Sequence, residues 1–249
     1  MNTDKKIPKI IHYCWFGRQP KPKKVIKCIE SWRKILPDYE IIEWNESNFN
    51  LEKNNYVQVA YESKKYAFVS DYVRLYALYH IGGIYLDTDV EVIKSFNPFL
   101  NEESFWGFEE KNYIATSTFG AKKGNLIIKE FLNKYEDESF CNHNPVTNVK
   151  MVTDLFIKYG LKMNGDGQKI KNLATIYSQE YFSPYDYINC HNKMTNNTYA
   201  IHYFYKSWLP FSQKIKQVLK KILVRLIGTH KMNKLRSYKD ILNKYLRRF

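Results

Sequence analysis

The sequence lacks several things, and each lack narrows what the chain can be. It has no C-x-x-C pair. Cys14, Cys28, Cys141 and Cys190 stand far apart in the 249 residues, a spacing that suggests neither a zinc site nor a disulfide framework. Four scattered thiols are expected to stay reduced in a cytoplasmic protein. No stretch approaches the ~18 consecutive apolar residues that a membrane span requires. The apolar run inside MNTDKKIPKIIHYCWFG is short and holds His12, so it is a poor signal peptide. Acids are scarce at one end. From Pro210 onward there are 12 basic residues and one acid, Asp240, a net +11 that leaves +3 for the first 209 residues out of a total of +14. The body is nearly balanced and the tail is a polycation, which bears on partners rather than on fold. No nucleic-acid motif accompanies that charge, so nucleic acid is not the expected polyanion.

Aromatic rings, by contrast, make up 16% of the chain, with 21 Tyr and 15 Phe. Rings of this kind suit a site that stacks on a base or a sugar, although most will serve the core or the surface. The most informative stretch is SDYVRLYALYHIGGIYLDTDVEV, residues 70 to 92. Its first part has helix-forming residues with apolar positions at 73, 75, 76, 78 and 79, inside a helix expected over 68 to 80. Gly82-Gly83 ends that helix, and Ile84-Tyr85-Leu86 is suited to a buried strand. Two carboxylates follow, Asp87 and Asp89. They point to one side if the segment is extended, and they can still converge if the chain turns at Thr88. Two acids at the end of a buried strand are costly to desolvate without a positive partner. A divalent cation with hard oxygen ligands is the simplest one.

This stretch resembles the DXD signature of glycosyltransferase family 32. That family includes bacterial capsule and lipopolysaccharide transferases and the yeast initiating α-1,6-mannosyltransferase. Three more blocks carry the resemblance: IPKIIHYCWFG at 7 to 17, CIESWRKILPDYEIIEWNE at 28 to 46 and IHYFYKSW at 201 to 208. It spans roughly residues 7 to 210 and implies a metal-dependent, retaining transfer of a sugar from a nucleotide-sugar. It places Asp89 and Asp87 on Mn²⁺ or Mg²⁺, with His202 as a third candidate ligand. Asp71 would touch ribose or base and Arg74 a sugar hydroxyl. Ser207 and Trp208 would reach back over the diphosphate, and Trp15 would stack the base. No residue is a convincing covalent nucleophile, so the resemblance points to front-face attack by the acceptor.

The fold expected is α/β: one Rossmann-like GT-A domain with a mixed sheet over residues 1–210, then a basic tail over 211–249. The order of a buried strand within residues 7 to 17, a helix over 22 to 36 and a strand over 39 to 44 implies a parallel pair. In such sheets ligands gather at the carboxyl ends of the strands. Trp15, Asn45 and Asp87 would meet there. Further strands are expected over 105 to 108, 114 to 119 and 200 to 203, and helices over 54 to 65, 125 to 135 and 149 to 159. His12 is expected to be a satisfied strand histidine. His143, Asn144 and Thr147 fall in a loop, where a donor or acceptor contact and a plain loop role are equally open.

Residues 214 to 227 place Ile215, Val218, Leu219, Ile222, Leu223 and Leu226 on one helical face and five basic residues on the other. A basic amphipathic helix of this kind suits an anionic membrane surface; the alternative is a helical pair, with residues 238 to 249, that docks on the domain and leaves its lysines in solvent. The expected protein is therefore peripheral on the inner face of a cell membrane. Its acceptor would be a lipid-linked saccharide of capsule, O-antigen or exopolysaccharide assembly, and its donor a UDP-sugar ahead of a GDP-sugar. Two readings compete. Leu86 to Val90 also fits a haloacid-dehalogenase-like phosphatase with Asp87 as nucleophile, though that motif usually lies on the first strand. The other is a non-catalytic membrane scaffold.

Overall fold

The computed structural model describes residues 6–137, 147–187, 189, 191–205, 224, 226–228 and 231. In chain order its elements begin with strand β1 (Ile10–Cys14), helix α1 (Lys23–Ile35), strand β2 (Glu40–Trp44) and helices α2 (Asn55–Glu62) and α3 (Tyr66–His80). Strands β3 (Gly83–Leu86), β4 (Val90–Val92), β5 (Ser104–Glu110), β6 (Tyr113–Ile114) and β7 (Thr118–Ala121) follow. Next come helices α4 (Leu126–Asp137) and α5 (Asn148–Lys158) and strands β8 (Gln168–Ile170) and β9 (Ala174–Tyr177). Last are β10 (Tyr185–Asp186), β11 (His191–Asn192) and β12 (Ala200–His202).

One mixed sheet has the order β2-β1-β3-β7-β5-β9-β8, with β6 paired to β5. Strand β1 runs parallel to both β2 and β3, in the register Ile10 with Glu40 and His12 with Tyr85. The strand-helix-strand order thus forms the expected parallel pair, and the carboxyl ends of β1, β2 and β3 share one edge. Strand β7 is antiparallel to β3 and β5, and β9 is parallel to β5. A separate two-stranded ladder joins β12 to β4, antiparallel, pairing His202 with Val90.

The two faces of the sheet divide the core, because successive side chains on a strand point opposite ways. Tyr85, Trp106 and Phe119 face helices α2 to α5, among Val57, Leu75, Phe131 and Phe156. Ile84, Leu86 and Phe105 face the other way, against Val25, Ile29 and Trp32 of α1 and against Phe182. Trp32 is wholly buried and donates its indole N–H to the carbonyl of Val90 at 2.7 Å. The backbone N–H of Val92 donates to Ser31 Oγ at 3.0 Å. Helix α1 thereby pins β4, the strand that begins just after Asp89.

Glycines end α3 as expected, with φ of 79° at Gly82 and 118° at Gly83. Both lie in the left-handed region, and a Cβ on Gly83 would come within 2.6 Å of the Ile10 carbonyl. Two expectations are corrected. The segment 114 to 119 is two strands: the Ala115 N–H still bonds the Gly107 carbonyl of β5 and the Ser117 carbonyl accepts from Asp87 beside β3, while the Thr116 carbonyl between them accepts from Arg74. Helix α3 begins at Tyr66 rather than at 68, so Asp71 lies in its second turn.

The chain divides into two compact units: Met1–Pro184 with Met194–Phe204, and Tyr185–Lys193 with Tyr205–Phe249. In the second unit the described residues include the small hairpin of β10 and β11, where Asp186 pairs with Lys193 at 3.1 Å. Most of the expected tail helix lies outside the described residues. Among the described residues, no helix is long and apolar enough to cross a membrane.

Candidate active site

Asp87 is the first residue past the end of β3, and the chain turns at Thr88 and Asp89. The turn closes with the N–H of Val90 donating to the carbonyl of Asp87 at 3.0 Å. The N–H of Asp87 donates to the carbonyl of Ser117 at 2.8 Å, which ties the turn to the segment before β7. At the end of β12 the N–H of Tyr203 donates to the carbonyl of Asp89 at 3.0 Å. That contact brings His202 to the acids. Its Nε2 lies 3.3 Å from Asp89 Oδ1. Asp87, Asp89 and His202 each offer a ligand atom, and these atoms lie within 4.8 Å of one another.

Two carboxylate oxygens and an imidazole nitrogen fit a divalent cation. His202 Nδ1 is buried and has no hydrogen-bond partner among the described residues. Burial alone would lower the pKa of His202. The carboxylates of Asp89, Asp87 and Glu109 outweigh burial and push it up to about 9. The same carboxylates that favour the imidazolium also favour a bound cation, and metal and proton compete for the imidazole.

Beneath Asp87 lies a buried polar lattice. Arg74, 5% exposed, sends Nε to the carbonyl of Ser70 at 3.1 Å and Nη1 to the carbonyl of Thr116 at 2.7 Å. Its Nη2 meets Asp71 Oδ1 at 2.9 Å and Asp87 Oδ1 at 3.4 Å. The guanidinium carbon sits 4.5 Å from the centre of the Tyr85 ring, and the Tyr85 hydroxyl donates to Asp87 Oδ1 at 3.0 Å. Asn148, the first residue of α5, donates to Asp71 Oδ1 at 2.6 Å. Burial pushes the Asp71 carboxyl up to about 7 against the pull of Arg74. Most of the Arg74 donors are occupied by the protein itself, so the structure shows it holding Asp71 and Asp87 in place.

Trp15 follows the end of β1, on the edge shared with Asp87. Its N–H donates to the carbonyl of Trp44 at 2.9 Å, and its indole Nε1 to the carbonyl of Gln19 at 2.6 Å. The ring is half-buried, with Lys21 Nζ 5.7 Å from its centre. His12 is a satisfied core residue, as its place in a strand implies. Nδ1 accepts from Trp44 Nε1 at 3.1 Å, and Nε2 bonds the carbonyl of Gly82 at 2.8 Å.

Thus the structure gathers Asp87, Asp89 and His202 at one point, with Arg74 and Asp71 beneath and Trp15 along the same sheet edge. Thr147 caps α5 through a bond from the Lys150 N–H. Ser207, Trp208, His143 and Asn144 lie outside the described residues. Sequence reasoning missed Asn148 and the carbonyls of Thr116 and Ser117. A side-chain pattern cannot announce a backbone acceptor, and Asn148 looks like an ordinary first residue of a helix.

Residues 22–106 match the family described as the glycosyltransferase sugar-binding region containing a DXD motif. Over those residues the chain is similar to DXD-motif sugar transferases, and its mixed α/β sheet is of the GT-A kind. Inositol phosphoceramide mannosyltransferase 3 of Schizosaccharomyces pombe is 28% identical over 156 residues, 61% of this chain and 44% of that one. The chain thus spans less than half of that relative's length. The uncharacterized glycosyltransferase L373 of Acanthamoeba polyphaga mimivirus is 28% identical over 222 residues, 82% of this chain and 84% of that one. Among solved structures, PaToxG glycosyltransferase superposes with a TM-score of 0.50 at 19% identity, over 62% of this chain and 69% of that one.

Proposed function

We propose that the protein transfers a sugar from a nucleotide-sugar, with retention, to a saccharide acceptor carried on a membrane lipid. The observation that carries this reading is the convergence of Asp87, Asp89 and His202 on the sheet edge that also bears Trp15. In it, Asp87, Asp89 and His202 hold Mn²⁺ or Mg²⁺. The ion, when bound, supplies Lewis-acid neutralisation of the charge that develops on the leaving nucleoside diphosphate. Arg74 and the Tyr85 hydroxyl hold the Asp87 carboxylate in place, so it meets the donor without reorganising. Asp71 lies behind Arg74 and sets its orientation. Trp15 offers its ring to the base, and Ser207 and Trp208 contribute a hydroxyl and an indole N–H to the diphosphate. The acceptor hydroxyl attacks from the face that the diphosphate leaves.

Donor and acceptor are the finer part of the proposal. A UDP-sugar is the first donor to test. The two S. pombe relatives are named for mannosyl transfer to inositol phosphoceramide, which makes a mannosyl donor the second. Those names also support an acceptor presented by a lipid. The basic tail agrees with it, since each basic residue near an anionic surface contributes ~1 kcal/mol. The proposed location is the cytoplasmic face of a cell membrane, in the assembly of a surface polysaccharide.

The test is a transfer assay with UDP-glucose, UDP-galactose and GDP-mannose, each with Mn²⁺ and detergent-solubilised membrane lipid extract. Release of one nucleoside diphosphate together with a sugar-bearing lipid supports the reading. Release of phosphate from a generic phosphomonoester without any nucleotide would replace it with the phosphatase reading.

A further inference from the structure

The loop that carries Trp15 is held by two acids at the carboxyl end of β2. The N–H of Gly17 donates to Glu46 Oε1 at 2.6 Å, and the Tyr61 hydroxyl on α2 donates to the same oxygen at 2.9 Å. Gly17 has φ 93°, and a Cβ there would come within 2.4 Å of the Tyr66 ring. The turn is therefore pressed against α3 in a shape open to glycine. Glu43 secures the far side. It accepts from the Tyr13 hydroxyl and pairs at 2.7 Å with Lys21, the residue whose ammonium faces the Trp15 ring. The indole is thus oriented by polar contacts at both ends of its loop. Burial, the largest single influence, would raise the Glu46 pKa; the bonds from the Gly17 N–H, its own backbone N–H and the Tyr61 hydroxyl, with the charge of Arg18, together outweigh it, so the carboxyl sits below its usual range.

We propose that Glu46 is a positioning residue for nucleotide binding: it fixes the Gly17 turn and thereby presents the Trp15 ring to the donor base. The inference rests on the reading of Trp15 as the base platform. Glu46 touches no ligand in this account. Its effect is to make the platform rigid before binding, so that less ordering is left for the complex to supply. A merely structural Glu46 would move the melting temperature and leave nucleotide affinity alone.

The experiment is calorimetric titration of the full chain with UDP and with GDP, each in the presence of Mn²⁺. Wild type is compared with Trp15→Ala, Glu46→Ala, Glu46→Gln and the Trp15→Ala/Glu46→Ala double variant. Loss of the ring weakens binding about tenfold, within the range for a stacked base, and loss of the Glu46 contact about fivefold. Glu46→Gln restores affinity, since its amide oxygen accepts the same two bonds. The double variant binds no worse than Trp15→Ala alone, because Glu46 acts only through the ring. Tyr61→Phe removes one of the two donors and gives a smaller loss; it reads the same clamp should Glu46→Ala fail to fold. If Trp15→Ala weakens binding while Glu46→Ala does not, or if the two losses add, the inference falls and the platform stands. If Trp15→Ala binds as wild type, or wild type binds neither nucleotide, the platform reading falls and takes the inference with it.

Discussion

His202 Nε2 stands 3.3 Å from Asp89 Oδ1, across a ladder that pairs His202 with Val90. The ladder delivers a nitrogen ligand from the far end of the domain to the turn that holds the acids. This contact converts a pair of carboxylates into a three-ligand site. Substitution His202→Ala is expected to weaken Mn²⁺ binding at least about tenfold, the scale seen even for groups that only support a ligand. Titration of free Mn²⁺ by its paramagnetic resonance signal measures it.

Arg74 is the counter-charge of a buried set. Substitution Arg74→Ala leaves Asp71 and Asp87 facing each other without compensation, which costs about 3–5 kcal/mol. Lysine cannot replace it, because a single ammonium cannot serve the Ser70 and Thr116 carbonyls and both acids together. Adding Asp71→Asn to Arg74→Ala is expected to recover ~1 kcal/mol or more, since the stranded charge is removed. Urea unfolding of the single and double variants reads both effects.

His12 supplies a pH dependence of stability separate from the metal site. Burial, opposed by the bond to Gly82, lowers its pKa from 6.5 to about 4. The unfolded chain then binds the proton first as pH falls, so stability is full above about pH 6.5 and declines as pH drops toward 4. The loss attributable to this residue is at most ~3 kcal/mol. In His12→Asn the fall in unfolding free energy between pH 6.5 and 4.5 should be shallower than in wild type.

The membrane proposal rests on charge. Flotation of the full chain with vesicles containing phosphatidylserine is expected at low salt and lost at high salt. Lys220→Glu with Lys221→Glu should reduce flotation and leave nucleotide binding intact. Equal flotation with neutral vesicles would contradict the proposal.

Much of this site was legible because its chemistry sits in short runs. The Gly-Gly break, the apolar strand and the two acids all fall inside residues 82–89, and the parallel pair of β1 and β2 follows from the order of elements. The rest depends on residues that only folding brings together. Asn148 reaches Asp71 from another helix, and Thr116 serves Arg74 through its carbonyl, which any residue type could do. Glu46 carries no pattern of its own, since its role depends on the left-handed turn at Gly17 and on Tyr61. The segment 114–119 looked like one strand because its composition is apolar and β-branched. It divides around Thr116, whose carbonyl accepts from Arg74.

The most direct test of the three-ligand metal site is a thermal-shift measurement with UDP and GDP, each with and without Mn²⁺, on wild type, Asp89→Ala and His202→Ala. A nucleotide that binds only the folded state raises the melting temperature by mass action. The account predicts a rise for one nucleotide that requires Mn²⁺ and is lost in Asp89→Ala and reduced in His202→Ala. A rise of equal size without Mn²⁺, or one retained in full by Asp89→Ala, would contradict it.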